Sequence, residues 1–238
     1  MELVLERNPR LRVLHDRVRA IPPVDAGHDF HHTLRVAALS LSILRSEIRE
    51  QHGRNPDSAE EEAVVASALL HDCVPVAKDS PLRKESARLC SEKAQEWLEE
   101  LAWSPQAMIP VIVDAILDHS YSGGRVPRTL IGKCLQDADR LEALGALGLY
   151  RTIATGVSMG SALFDVQDPF AANRALDDRK FTIDHFFTKL LKLPDTFQTA
   201  SAKSEAKSRA RYLEGFVDQL AHELQRSRVP TFRNSSER

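Results

Sequence analysis

The stretch Phe30-His-His-Thr-Leu-Arg-Val-Ala-Ala-Leu-Ser-Leu-Ser-Ile-Leu-Arg-Ser-Glu-Ile48 decides the fold class. Phe30, Leu34, Ala37, Leu41, Leu44 and Ile48 recur at steps of three and four, the spacing of a single helix face. This long amphipathic helix ends near Gly53. Ser58 with Glu61 reads as a capping box for a second helix, and Glu60 to Glu62 suit the positive end of its dipole. That helix runs to about Asp72, because Pro75 lacks the amide donor and clashes with the preceding turn.

Downstream the pattern repeats. Ala87 to Leu101 reads as a helix, and Ser104-Pro105 gives an N-cap and a first-turn proline for another, carrying Ile109, Ile112, Val113 and Ile116. Ser122-Gly123-Gly124 breaks it. From Pro127 a further helix runs through Leu130, Cys134, Leu141 and Leu144, and the small residues Gly145, Ala146 and Gly148 allow another helix to approach closely. Residues 156–181 are irregular and read as a long loop of the kind that often acts as a lid. Helices return at Ile183 to Leu193 and at Ser204 to Leu224, and residues 226–238 form a polar, flexible tail. With no sustained strand alternation and no repeat, the fold class is all-α. A single domain is expected over 1–225, with a core at about 25–155 and a C-terminal helical extension at about 182–225.

The 238 residues, 42% apolar and 28% charged, contain no run of 18 apolar residues that would cross a bilayer. Glu2, Glu6, Arg7, Arg10 and Arg12 interrupt the opening residues, unlike a signal peptide, so a cytoplasmic protein is expected. Cys73, Cys90 and Cys134 are odd in number and widely spaced, which fits reduced core thiols. A net charge of −2 gives no positive field to gather nucleic acid, so none is expected as a partner. The basic stretch Lys203, Lys207, Arg209 and Arg211 is interrupted by Glu205 and Glu214 and reads as a solvated face. A homo-oligomer through the helices near Gly145 and Gly148 stays open.

Three groups of polar residues need a reason to sit on core-forming helices. His28, His31 and His32 crowd the start of the first long helix, His71-Asp72 closes an apolar one, and Asp137, Asp139 and Arg140 lie inside a third. Charged groups buried without partners cost several kcal/mol, and a shared divalent cation would satisfy several together. Imidazole with carboxylate accepts Mn, Zn, Ni, Co or Fe, and Mg where oxygen ligands dominate. By periodicity Asp137 shares a stripe with Leu130, Cys134, Leu141 and Leu144, whereas Asp139 forms a second row with Ile131 and Leu135. Spacing alone leaves both as ligand candidates.

The ordered series His32, His71-Asp72, Asp139 resembles the H…HD…D signature of the HD superfamily of metal-dependent phosphohydrolases. More narrowly, His28-Asp-Phe-His-His-Thr-Leu-Arg-Val36, Lys78-Asp-Ser-Pro81, Gln136-Asp-Ala-Asp-Arg-Leu-Glu-Ala-Leu-Gly-Ala146 and Asp184-His-Phe-Phe-Thr-Lys-Leu-Leu191 resemble a bacterial subgroup of small stand-alone HD hydrolases, over roughly residues 25 to 220. The resemblance implies an HD-domain helical bundle with additional C-terminal helices. It also implies metal ligation by His32, His71, Asp72 and Asp139, and metal-assisted hydrolysis of a small phosphorylated substrate, a nucleotide above all. Some relatives carry an acidic residue three or four positions after the HD pair; Pro75 and Val76 stand there in this chain. The general base is therefore unassigned, with Asp72 as candidate, and release of pyrophosphate is favoured over cleavage of a monoester. Lys78 and His119 are candidates for substrate binding, His119 also as proton donor or further ligand. Asp137 could instead orient a ligand histidine, with Arg140 as an ion-pair partner. Two other readings are a catalytically silent regulatory module binding a nucleotide or protein, and a di-iron oxygenase drawing on further ligands such as His119.

Overall fold

The computed structural model describes residues 1–22, 29–76, 80–120 and 124–226, and the described residues are helical with no strand, apart from an isolated bridge between Ala162 and Phe181. Ten α-helices follow in order: α1 (Glu2–Arg7), α2 (Pro9–Arg19), α3 (Phe30–His52), α4 (Ser58–Leu70), α5 (Ser86–Glu100), α6 (Met108–Asp118), α7 (Leu130–Leu141), α8 (Gly145–Ser158), α9 (Asp184–Thr188) and α10 (Ala200–Arg226). Short 3₁₀ turns cover Pro81–Glu85 and Leu190–Thr196. The architecture is all-α, as the periodicity requires.

Helix α4 is the axis of the bundle. Its run Ala63-Val-Val-Ala-Ser-Ala-Leu-Leu70 has no polar face, and every one of these residues is buried. A helix that is apolar all round must be enclosed, and α2, α3, α6 and α7 pack around this one. Its one hydroxyl, Ser67 Oγ, is satisfied by donating to Ala63 O at 2.8 Å. Full burial of each large aliphatic side chain contributes about 1.5–3 kcal/mol, so this position of α4 is strongly determined. The helix stops at Leu70, and the turn that follows is held by Cys90 of α5, whose Sγ accepts from Val74 N at 3.4 Å. All three cysteines are buried and free.

Several boundaries differ from the sequence reading. The capping box of α4 sits one residue earlier: Asp57 is the N-cap and Glu60 its reciprocal partner, with N–H to carboxylate distances of 2.8 and 2.9 Å. Both registers satisfy the pattern, and the aspartate wins because it also lies in extended backbone at the entry. Ser104 does not cap α6, which begins at Met108 after a separate turn. Helices α1 and α2 precede anything the sequence analysis placed; Asn8 caps α2 by accepting from Arg10 N at 2.9 Å. The tail expected from 226 lies, from 227 onward, outside the described residues, as do Lys78 and His28.

Helix α10 clasps the bundle. Asp137 of α7 is fully buried and accepts from Gln198 N (2.9 Å), Thr199 N (2.8 Å) and Thr199 Oγ1 (2.7 Å), the residues leading into α10. Glu47 of α3 accepts from Ser201 N and Ser201 Oγ at 2.9 and 2.8 Å. Two carboxylates thus serve amides that have no intrahelical partner, at the positive end of the longest helix. Further along, Arg209 donates to Leu141 O at 3.0 Å and closes the end of α7. The close approach read from the small residues occurs here: a Cβ on Gly145, which adopts φ +70, would stand 3.2 Å from Arg209 Cγ.

The segment between α8 and α9 is pinned from below. Asp184, fully buried, accepts from Arg174 Nη1 and Nη2 at 2.5 and 2.8 Å and from Asp177 N at 2.7 Å, and Arg174 lies over the Phe181 ring at 4.5 Å. Burial opposes ionisation of Asp184, but the guanidinium and the amide outweigh it and hold the carboxyl below its usual range.

Asp137→Ala would leave three donors at the α10 entry without their acceptor. It should lower stability by about 2–4 kcal/mol, read by urea unfolding, and a loss under about 0.5 kcal/mol would show that the clasp is not needed.

Candidate metal centre

Three helix ends converge on one point. His32 lies in the first turn of α3, whose start is fixed by Asp29 accepting from His32 N at 2.7 Å. His71 follows the last residue of α4, and Asp139 lies in the last turn of α7. Ligand atoms of His32, His71 and Asp139 all stand within 4.8 Å of one another. His32 Nε2 is 3.4 Å and His71 Nε2 4.0 Å from Asp139 Oδ1. Asp72 borders the cluster, with Oδ2 3.4 Å from His71 Nε2, but lies outside the set of mutually close ligand atoms. Groups about 2.1 Å from a shared ion stand about 3 Å apart at right angles and about 4.2 Å apart in trans, so these separations fit ligands of one cation.

The protonation pattern fits as well. His71 Nδ1 lies 2.7 Å from Ala68 O, and since a carbonyl only accepts, Nδ1 carries the proton. The lone pair therefore sits on Nε2, a buried atom with no hydrogen-bond partner among the described residues, facing two carboxylates. Burial, the largest influence, keeps His71 neutral by pushing its pKa down. A neutral imidazole lone pair beside carboxylate oxygens is an electron-rich site that a further acceptor does not satisfy, whereas a divalent cation is bound by all of these atoms together. His32 differs: burial disfavours its charge, but Asp139 and Glu142 overcome that and raise its pKa to about 9, so in the metal-free chain an imidazolium offsets part of the negative charge. Asp139 is held well below the usual carboxylate range, against its burial, by His32 and the neighbouring histidines.

His119 ends α6 beside the cluster. Its ring meets that of His71 edge-on at 5.2 Å, and its Nδ1 donates to Ile116 O at 2.5 Å, repeating the tautomer of His71. Asp137 lies elsewhere: its partners belong to the α10 entry, so the apolar stripe correctly marks it as buried but not as part of this cluster. Arg140 donates to Thr196 O at 2.6 Å, and its charge favours the ionised form of buried Asp137. His31 is exposed, and Lys78 lies outside the described residues.

Sequence reasoning overlooked the support behind His32. Glu142, buried just after α7, has Oε2 3.4 Å from His32 Nδ1 and accepts from Arg35 Nε at 2.8 Å. Arg151 of α8 brings Nη1 to 3.1 Å from the same Nδ1. The available signal was the three-residue step from Asp139 to Glu142, which places both carboxyls on one side of the helix end.

Compared with known proteins, the chain matches the HD domain family over residues 29–144. An HD-superfamily hydrolase of Bacillus thuringiensis, of solved structure, is 31% identical with a TM-score of 0.66, covering 91% of this chain and 97% of that one. The protein YpgQ of Bacillus subtilis is 28% identical over 200 residues, 84% of this chain and 85% of YpgQ, and it has been crystallised in complex with ADP. A Lactobacillus plantarum protein is 25% identical with a TM-score of 0.67, covering 92% of this chain and 98% of its own.

Glu142→Gln keeps the shape but removes the charge behind His32. It should weaken manganese binding about 10–100-fold in a titration, the usual cost of losing an orienting partner of a ligand histidine. Unchanged affinity would mean that His32 is oriented without it.

Proposed function

We propose, on the premise that the chain belongs to the HD superfamily, that it is a divalent-metal-dependent phosphohydrolase acting on a nucleotide, cleaving a phosphoanhydride to release pyrophosphate. The observation that carries the reading is the buried Nε2 lone pair of His71 facing Asp72 and Asp139. In this account His32, His71, Asp72 and Asp139 hold the cation. When bound, a divalent cation supplies a water nucleophile at neutral pH and neutralises charge on the phosphate.

The protein's own residues do the rest. Ala68 O fixes the tautomer of His71, and Glu142, itself held by Arg35 and Arg151, faces Nδ1 of His32, so both imidazoles are preorganised before a ligand arrives. Asp72, about a quarter exposed where His71 is fully buried, borders the open side of the cluster and can accept a proton from the attacking water. His119, with Nδ1–H committed to Ile116 O, has only Nε2 to offer, which must itself take up a proton before it can pass one to the leaving group. Lys78 remains a candidate phosphate contact. The ADP complex of YpgQ supports a nucleotide as the substrate class.

Metal-stripped protein resupplied with manganese, magnesium, nickel or zinc should release pyrophosphate from a nucleoside triphosphate panel. Asp72→Ala and His71→Ala should lose more than about a hundredfold, beyond the loss expected for an outer partner. Stoichiometric metal binding without turnover on any nucleotide would contradict the enzyme reading and favour a regulatory module.

A further inference from the structure

On the Nδ1 side of His32, away from the cluster, α8, the segment that follows it and α9 enclose a pocket of about 370 Å³. None of His32, His71, Asp72 or Asp139 lines it. Helix α8 lines it with Arg151, Thr152 and Thr155. Gly148, Thr152 and Gly156 succeed each other at steps of four, and a Cβ on Gly156 would fall 2.2 Å from Thr182 Oγ1.

Its chemistry is one-sided. Arg151, Arg179 and Lys189 are among its lining residues. The one carboxylate among the described lining residues, Asp178, is already engaged by His185 Nδ1 at 2.9 Å and by Thr188 Oγ1 at 3.0 Å. The Arg179 guanidinium is exposed and has no hydrogen-bond or ion-pair partner among the described residues, whereas Arg151 is largely enclosed, with its side chain 18% exposed. Met159 and Leu190 add an apolar wall. Planar guanidiniums bind phosphate oxygens in pairs, and several cations around a small concave site suit an anion carrying more than one charge.

We infer that this pocket is a second ligand site, separate from the metal centre, that takes a diphosphate group, either as free pyrophosphate or as the tail of a nucleoside diphosphate. Arg151 is the shared wall: its Nη1 stands 3.8 Å from Oε2 of Glu142 behind His32 while the residue lines the pocket, so an anion bound there competes for the guanidinium that pairs with Glu142. The site rests on the pocket's own residues and not on the hydrolase reading, and its test uses metal-free protein so that the two can fail separately.

The test is calorimetric titration of sodium pyrophosphate into metal-free wild-type protein, Arg179→Ala and His71→Ala. The expected result is one site per chain in the wild type, at least tenfold weaker in Arg179→Ala and unchanged in His71→Ala. Arg179 is exposed, so its loss should leave the fold intact, which circular dichroism checks. A parallel titration with ADP separates the two sources: tighter binding than pyrophosphate assigns a nucleoside to the wall of Met159 and Leu190, and equal binding assigns the site to the diphosphate alone. No binding to the wild type, or binding lost in His71→Ala and kept in Arg179→Ala, would overturn the inference.

Discussion

A lone pair on His71 Nε2, buried and faced by carboxylate oxygens, is the constraint around which the rest is arranged. The atom is there because α4 is apolar on every side from Ala63 to Leu70 and that stretch must run through the middle of the bundle, so the residue after its last turn is delivered to the interior. Placing a histidine at that end, with its Nδ1 tied to the carbonyl three residues back, commits its acceptor nitrogen inward. Asp139 and Asp72 then set oxygen atoms beside that nitrogen. Each choice is unfavourable alone and compatible with the others only around a positive charge.

The helices that carry no ligand serve the same end. Helix α10 is fastened at its start by Asp137 and Glu47 and crosses α7 near Gly145, where Arg209 closes the end of α7 on Leu141 O. Asp139 and Glu142 sit on that stretch of α7, so the clasp positions both the carboxylate facing the cluster and the one behind His32. Arg35 and Arg151 hold Glu142 from two other helices. The centre is thus fixed by packing at a distance as well as by its immediate neighbours.

Much of this was legible in the sequence. The all-α class and helices α3, α4 and α7 follow from apolar spacing, and His32, His71 and Asp139 stood out as polar groups on core helices. Spacing failed where two answers satisfied it equally. Asp57/Glu60 and Ser58/Glu61 are both capping boxes, and only backbone geometry separates them. Asp137 lies on the apolar stripe of α7 and is buried, yet it is buried against the entry to α10, a tertiary contact that no local pattern encodes. Glu142 and Arg151 were missed because their role exists only once α7, α8 and α3 meet. The α8 pocket was illegible for the same reason, because Arg151 and Thr152 meet Arg179 and His185, some thirty positions away, only in the folded chain.

The most direct test of the central claim is X-ray absorption at the metal edge of manganese-loaded protein, compared with His71→Ala. The account predicts a first shell of nitrogen and oxygen at about 2.0–2.2 Å, with the outer-shell scattering of two imidazole rings in the wild type and of one in the variant. A first shell of oxygen alone, with no imidazole signal to lose, would contradict it.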